Sequence, residues 1–185
     1  MKNIMNFIIC VLVLSGCSTT YTPKTDVEPE FDFASVKTFY VIGDQQNPNI
    51  MLSDIDRRRM NKAMTQELIA TGYEEADVDS ADILISYFVA TEDKVKINSH
   101  GHTPHYAYAA RVTPAYRYGY GVSNISAKSY TEGTFVVDII DRDSNESMWR
   151  STLTKPLKHY QTIEERENAI TDLVSTMFQE RPSSL

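Results

Sequence analysis

Cysteine is scarce in this sequence, whose 185 residues include two, Cys10 and Cys17. So few thiols exclude a disulfide-stapled fold. Positive charge is in deficit as well, with 18 Lys and Arg against 25 Asp and Glu and a formal net charge of −7. Because nucleic-acid phosphates need clustered cations, we expect no nucleic-acid partner.

The signatures of common enzymes are also missing. The sequence has no serine-nucleophile motif, no Gly-rich phosphate loop and no His-Glu-x-x-His zinc motif. Its composition, with 42% hydrophobic residues, seven Gly and seven Pro, is that of a packed globular protein. We therefore expect a single folded domain that is not an enzyme and carries no cofactor.

The most apolar run stands at the start of the chain. Ile4 to Leu14 contain one polar residue, Asn6, and follow the positive charge of Lys2. Eleven residues are too few for a membrane-spanning helix, which needs about 20, but they are typical of a signal peptide. The run ends in Leu14-Ser15-Gly16-Cys17, which resembles the lipobox of bacterial lipoproteins. An ordinary secretory cleavage beside an unmodified Cys is the alternative.

These features predict the organisation of the whole chain. We expect residues 1–16 to be a lipoprotein signal peptide, Cys17 to carry the lipid (diacylglyceryl and palmitate-type chains), residues 17–30 to form a flexible tether, and residues 31–181 to form the globular domain. Because Ser18 and not Asp follows Cys17, the pattern resembles that of lipoproteins sent to the outer membrane. The domain is then expected to face the periplasm.

Strands are predicted where β-branched and aromatic residues cluster between turn residues. Phe39 to Ile42 form the first, and Ala81 to Ala90 the second, with Lys94 to Ile97 as its continuation or neighbour. Thr134 to Asp141 and Met148 to Leu153 then predict a hairpin around a polar turn.

Two helices are predicted from capping boxes, at Ser53 to Asp56 and at Thr162 to Glu165, and are expected to end before Gly72 and Pro182. The predicted buried stripes are Ile55, Met60, Ala63, Met64 and Leu68 in the first helix and Ile163, Ile170, Leu173, Val174, Met177 and Phe178 in the second. The basic run from Arg57 to Arg59 is interpreted as a solvated helix face. The fold class is therefore α+β, an α/β sandwich with one mixed or antiparallel sheet and both amphipathic helices packed on one face.

Several segments together resemble a known family. They are Asp32-Phe33-x-Ser35 before Lys37-Thr38-Phe39, Ala81 to Tyr87, Tyr130-x-Glu132 to Asp138, and Trp149-Arg150. In order and spacing they are similar to the bacterial lipoprotein family catalogued as domain of unknown function 4136, over roughly residues 31–180. The chain departs from that pattern in the middle segment and at the hairpin turn, where a Gly is expected and Ser144-Asn145-Glu146 stand. The resemblance implies a periplasmic α/β lipoprotein domain and supplies no catalytic residues.

A histidine cluster is the candidate metal site. His100, His102 and His105 are three of the four His in the chain, and imidazole is the commonest ligand for several transition metals. No acid lies between Asp93 and Glu132 to complete or orient the ligand set. A polar loop or hairpin tip is therefore the favoured interpretation, with metal binding as the alternative.

A tyrosine segment is the candidate binding surface. Tyr116, Tyr118 and Tyr120 alternate, so a strand would place their rings on one face for contact with sugars or a protein. Covering a sheet edge is the competing interpretation. The leading functional hypothesis is a non-enzymatic envelope lipoprotein that binds or assembles with an envelope protein or peptidoglycan and reaches the membrane through its N-terminal lipid. An envelope metal-binding protein or hydrolase using the histidine cluster is the alternative.

Overall fold

The computed structural model describes residues 21–43, 52–101 and 123–182. Its strands are β1 (Lys24–Val27), β2 (Thr38–Gly43), β3 (Glu74–Glu75), β4 (Ile83–Gly101), β5 (Ser123–Asp141) and β6 (Ser147–Pro156), and its helices are α1 (Asp54–Ala70) and α2 (Ile163–Phe178). A short 3-10 helix, Phe33–Ser35, precedes β2. Within the described residues, neither helix has the length and apolarity to span a bilayer.

The strands form one six-stranded mixed sheet in the order β1-β6-β5-β4-β2-β3. β4, β5 and β6 form an antiparallel meander, and β1 pairs antiparallel with β6. β2 lies parallel to both β4 and β3, with α1 as the crossover between β2 and β4. The predicted α+β class is confirmed, and of the two predicted kinds of sheet, mixed or antiparallel, the single sheet is mixed.

The expected tether is wrong in its second half. Residues 24–27 form β1, in which Lys24 pairs with Thr152 and Val27 with Trp149. All four residues of β1 are exposed, so no apolar alternation marks them as a strand. They are ordered because the outer edge of β6 offers unpaired backbone groups, and pairing satisfies both strands.

The core lies between one face of the sheet and both helices. Alternate residues of the three long strands point into it: Ile83, Ile85, Tyr87 and Val89 in β4, Phe135, Val137 and Ile139 in β5, and Trp149, Ser151 and Leu153 in β6. The Trp149 ring stacks on Phe178 with centroids 5.6 Å apart. The hydroxyl of Ser151, also fully buried, donates to the carbonyl of Met177 at 3.0 Å.

Both helices begin where the capping patterns predict. The Ser53 hydroxyl accepts from the Asp56 N–H, and Thr162 and Glu165 form a complete capping box. The buried stripes are confirmed from the second turn onward, with Ile170 only partly buried, but Ile55 and Ile163 are exposed by 53% and 68%. Each lies in the first turn of its helix.

In the hairpin turn, an asparagine takes the place of the expected glycine. Asn145 adopts a φ of +59°, a left-handed conformation that asparagine tolerates better than most residues. The Asp141 carboxylate accepts from the Ser144 N–H at 2.9 Å and closes the turn. Asn145 therefore serves where Gly was expected.

Candidate functional site

Most of the site residues predicted from the sequence lie outside the described part of the chain. Cys17, His102, His105, Tyr116, Tyr118 and Tyr120 lie outside the described residues. The backbone of His100 belongs to β4, opposite Asn124 of β5, but its side chain is outside the description. Within the described residues, no three His, Cys, Asp or Glu side chains converge as a metal site.

A cleft opens at one end of the core, where the alternation of β6 places a lysine on the core face. Trp149, Ser151 and Leu153 point toward the helices, and the next residue with the same orientation is Lys155. Its strand neighbour is Gly133. We call this depression the Lys155 cleft.

The floor of the cleft is apolar and depends on Gly133. A Cβ atom at that position would lie 2.6 Å from Cδ2 of Leu157 and 3.1 Å from Cε2 of Phe135. The absence of a side chain at Gly133 therefore leaves room for the side chains of Leu157 and Phe135 beside it. The Lys155 ammonium lies 5.8 Å from the centre of the Phe135 ring, a cation–π arrangement.

The walls come from both helices, β4 and the segment that links β6 to α2. The cleft has a volume of about 230 Å³, and its apolar lining is Leu52, Met60, Val89, Phe135, Pro156, Leu157, Ile170 and Leu173. A wider hollow of about 620 Å³ shares the wall formed by Lys155, Pro156, Lys158, Tyr160 and Ala169. Tyr21, near the start of the described chain, lines this hollow.

A charged cluster joins the two helices at the back of the cleft. Asp56 accepts from Arg59 at 3.0 Å, from Arg166 at 3.1 Å and from the Ser53 hydroxyl at 2.8 Å. Arg59 also lies 3.5 Å from Glu167. Burial opposes ionisation of Asp56, but the hydrogen bonds and the two guanidinium charges outweigh it and keep its pKa below the ordinary value. The side chain of Arg59 is only 18% exposed, so the solvated-face interpretation is wrong for this arginine.

Two lysines of the cleft lack such partners. Among the described residues, no carboxylate lies within 4 Å of the ammonium of Lys155 or Lys158. Burial lowers the pKa of Lys155, the charge of Lys158 lowers it further, and Asp172 partly offsets both effects. Burial raises the pKa of Tyr160 in the same wall, which keeps its hydroxyl protonated and able to donate.

Sequence reasoning missed this site, although one signal was present. Continuing the alternation of β6 past Leu153 would have placed Lys155 on the buried face, and a lysine at a core-facing position is unusual. The contact between Asp56 and Arg166 joins residues 110 positions apart, and no local pattern predicts it.

Comparison with known protein families identifies the fold family. A model described as "Domain of unknown function (DUF4136)" matches residues 23–183. The chain belongs to the DUF4136 family. The match begins one residue before β1 and contains every described strand and helix. Comparison with curated proteins gives no match.

Several solved structures are similar to this DUF4136 domain at low sequence identity. A DUF4136 family protein from Bacteroides thetaiotaomicron is 19% identical with a TM-score of 0.48, covering 88% of this chain and 96% of that one. A PDZ domain protein from Parabacteroides distasonis is 14% identical with a TM-score of 0.49, covering 99% of this chain, which spans 41% of that protein's chain. The PelC dodecamer from Paraburkholderia phytofirmans is 11% identical with a TM-score of 0.45, covering 88% of this chain and all of that one.

Proposed function

We propose that this DUF4136 protein is a non-catalytic binding module of the bacterial cell envelope, anchored by lipid on Cys17 to the outer membrane with its domain in the periplasm. The single observation that carries the binding role is the Lys155 cleft. It combines an apolar floor with ammonium groups that no carboxylate of the described residues neutralises within 4 Å. Such a mixture of apolar lining and a few convergent polar groups is characteristic of ligand sites.

The anchoring role rests on the sequence Leu14-Ser15-Gly16-Cys17 directly after the apolar run. The first described residue, Tyr21, lies four positions after Cys17 and lines the hollow beside the cleft. Four residues span at most about 14 Å at roughly 3.5 Å each. A lipid on Cys17 would therefore keep this end of the domain close to the membrane surface.

The test of anchoring is Cys17→Ser, with Cys10→Ser as the matched control. Cys17→Ser is expected to leave the chain uncut and unacylated, because the thiol is the attachment point for the diacylglyceryl group. Cys10→Ser is expected to give the native mature mass, because Cys10 is removed with the signal peptide. Intact-mass measurement of the membrane fraction gives the mature mass of both variants. Equal mature masses and equal membrane association for Cys17→Ser and the native protein would overturn the proposal.

A further inference from the structure

We infer that the Lys155 cleft binds a small amphipathic carboxylate, with its apolar part on the Phe135 and Leu157 floor and its carboxylate against the ammonium of Lys155. This inference rests on the proposed binding function and names its ligand class. The apolar side chains supply the surface that a short acyl chain or ring would cover.

The charges around the cleft favour an anionic head group. The carboxylates that line the cleft and the adjoining hollow are Asp56, Glu165 and Asp172. Asp56 is held by Arg59 and Arg166, and the Glu165 carboxylate accepts from the backbone N–H of Gln161 and Thr162.

Asp172 is exposed and lies more than 4 Å from both lysine ammonium groups. Lys155 and Lys158 are therefore the charges that a ligand would satisfy. A half-buried ammonium that faces a second cation gains a charge-assisted hydrogen bond when a carboxylate arrives.

The burial of Lys155 favours a single negative charge. Its half-buried ammonium lies 5.8 Å from the centre of the Phe135 ring, where desolvation already opposes its ionisation. Lys158 is exposed, so water screens its charge, and a dianion would lose more hydration in this setting than the half-buried ammonium of Lys155 restores. The protonated hydroxyl of Tyr160 offers a second donor in the same wall.

The volume sets the size of the ligand. One water molecule takes up roughly 30 Å³, so a cleft of about 230 Å³ has room for a small organic molecule. Hexanoate is a small molecule that combines a short acyl chain with one carboxylate and is soluble in water, which makes it a suitable probe. The wider hollow beyond Lys158 and Tyr160 would take any polar extension of a natural ligand.

The experiment titrates hexanoate into the ¹⁵N-labelled full chain in a non-ionic detergent and follows backbone amide shifts. Saturable shifts are expected at Leu157, Ala169 and Ile170. Hexanol, which has the same chain without the charge, and acetate, which has the charge without the chain, are each expected to bind at least about tenfold more weakly. Lys155→Met should weaken hexanoate binding about tenfold or more, whereas Lys37→Met, the same charge change at an exposed site by the start of β2, should leave it unchanged.

Several results would overturn the inference. They are the absence of saturable shifts at the cleft, equal binding of hexanoate by Lys155→Met, and equal affinity for hexanol. Tighter binding of hexyl phosphate would refute the single-charge argument. The comparison of hexanoate with hexanol needs no variant, so it decides the matter even if Lys155→Met fails to fold. If hexanoate does not bind, the proposed acylation of Cys17 still stands, because intact-mass measurement tests it independently.

Discussion

Replacing Asp56 by Asn tests whether the charged cluster holds the two helices together. The substitution keeps the size of the side chain and removes the charge that faces Arg59 and Arg166 at 3.0 and 3.1 Å. Breaking a buried ion pair costs about 3 to 5 kcal/mol. The cost here is lower, because Arg59 retains Glu167 at 3.5 Å and the side chain of Arg166 is 42% exposed. We expect a loss of about 2 kcal/mol in the free energy of unfolding.

Asp54→Asn is the matched control, since Asp54 lies in the same first turn of α1 and has the same favourable interaction with the helix dipole. Its side chain is 86% exposed and 3.9 Å from Arg57, so its loss should cost about 0.5 kcal/mol or less. Urea denaturation at 25 °C measures both variants. A loss of about 2 kcal/mol corresponds to a midpoint lower by about 1 M urea.

The pH dependence of the free energy of unfolding is a second test of the same cluster. The folded state lowers the pKa of Asp56, so the folded state favours its ionised form. The resulting stability is fully present above the unfolded pKa of about 3.9 and is lost as the pH falls through the folded value. The stability gap between the native protein and Asp56→Asn should therefore be constant above about pH 5 and shrink toward about pH 2. A gap of full size at about pH 2, or equal stability of Asp56→Asn and Asp54→Asn, would refute the reasoning.

Two further substitutions test the sheet and its contact with α2. Ser151→Ala removes the buried donor to the Met177 carbonyl and should cost about 1 to 2 kcal/mol; an unchanged thermal midpoint would contradict this. Asp82→Ala removes the carboxylate that accepts from the N–H groups of Lys37 and Thr38 at 2.9 Å each and should cost about 1 kcal/mol, because water replaces part of the loss at this exposed site. Those two hydrogen bonds lower the pKa of Asp82, so the stability lost in Asp82→Ala should decrease as the pH drops below about 4. Asp82→Asn, whose amide oxygen can still accept from both N–H groups, should retain most of the stability.

Much of the domain was predictable because its signals are local. Ser53 and Thr162 mark helix starts through bonds that span three residues, and the alternation along β4, β5 and β6 follows from the two-residue period of a strand. β1 gave no such signal, because its four residues are all exposed and its order comes from the edge of β6. Lys155 was overlooked because the strand prediction stopped at the last apolar residue, Leu153, although β6 continues to Pro156.

The helix starts, most of the core stripes and the family could be read from the sequence alone, since each depends on residues near one another in the chain or on segment order. The mixed sheet, the pairing of β1 with its edge and the cleft that a lysine shares with both helices became visible in the three-dimensional structure, because each joins segments far apart in the chain. The pairing of Asp56 with Arg166 and the seating of Lys155 over Phe135 join distant segments. They form because the crossover through α1 and the β6-to-α2 link bring both helix starts to the end of the core where Gly133 leaves room.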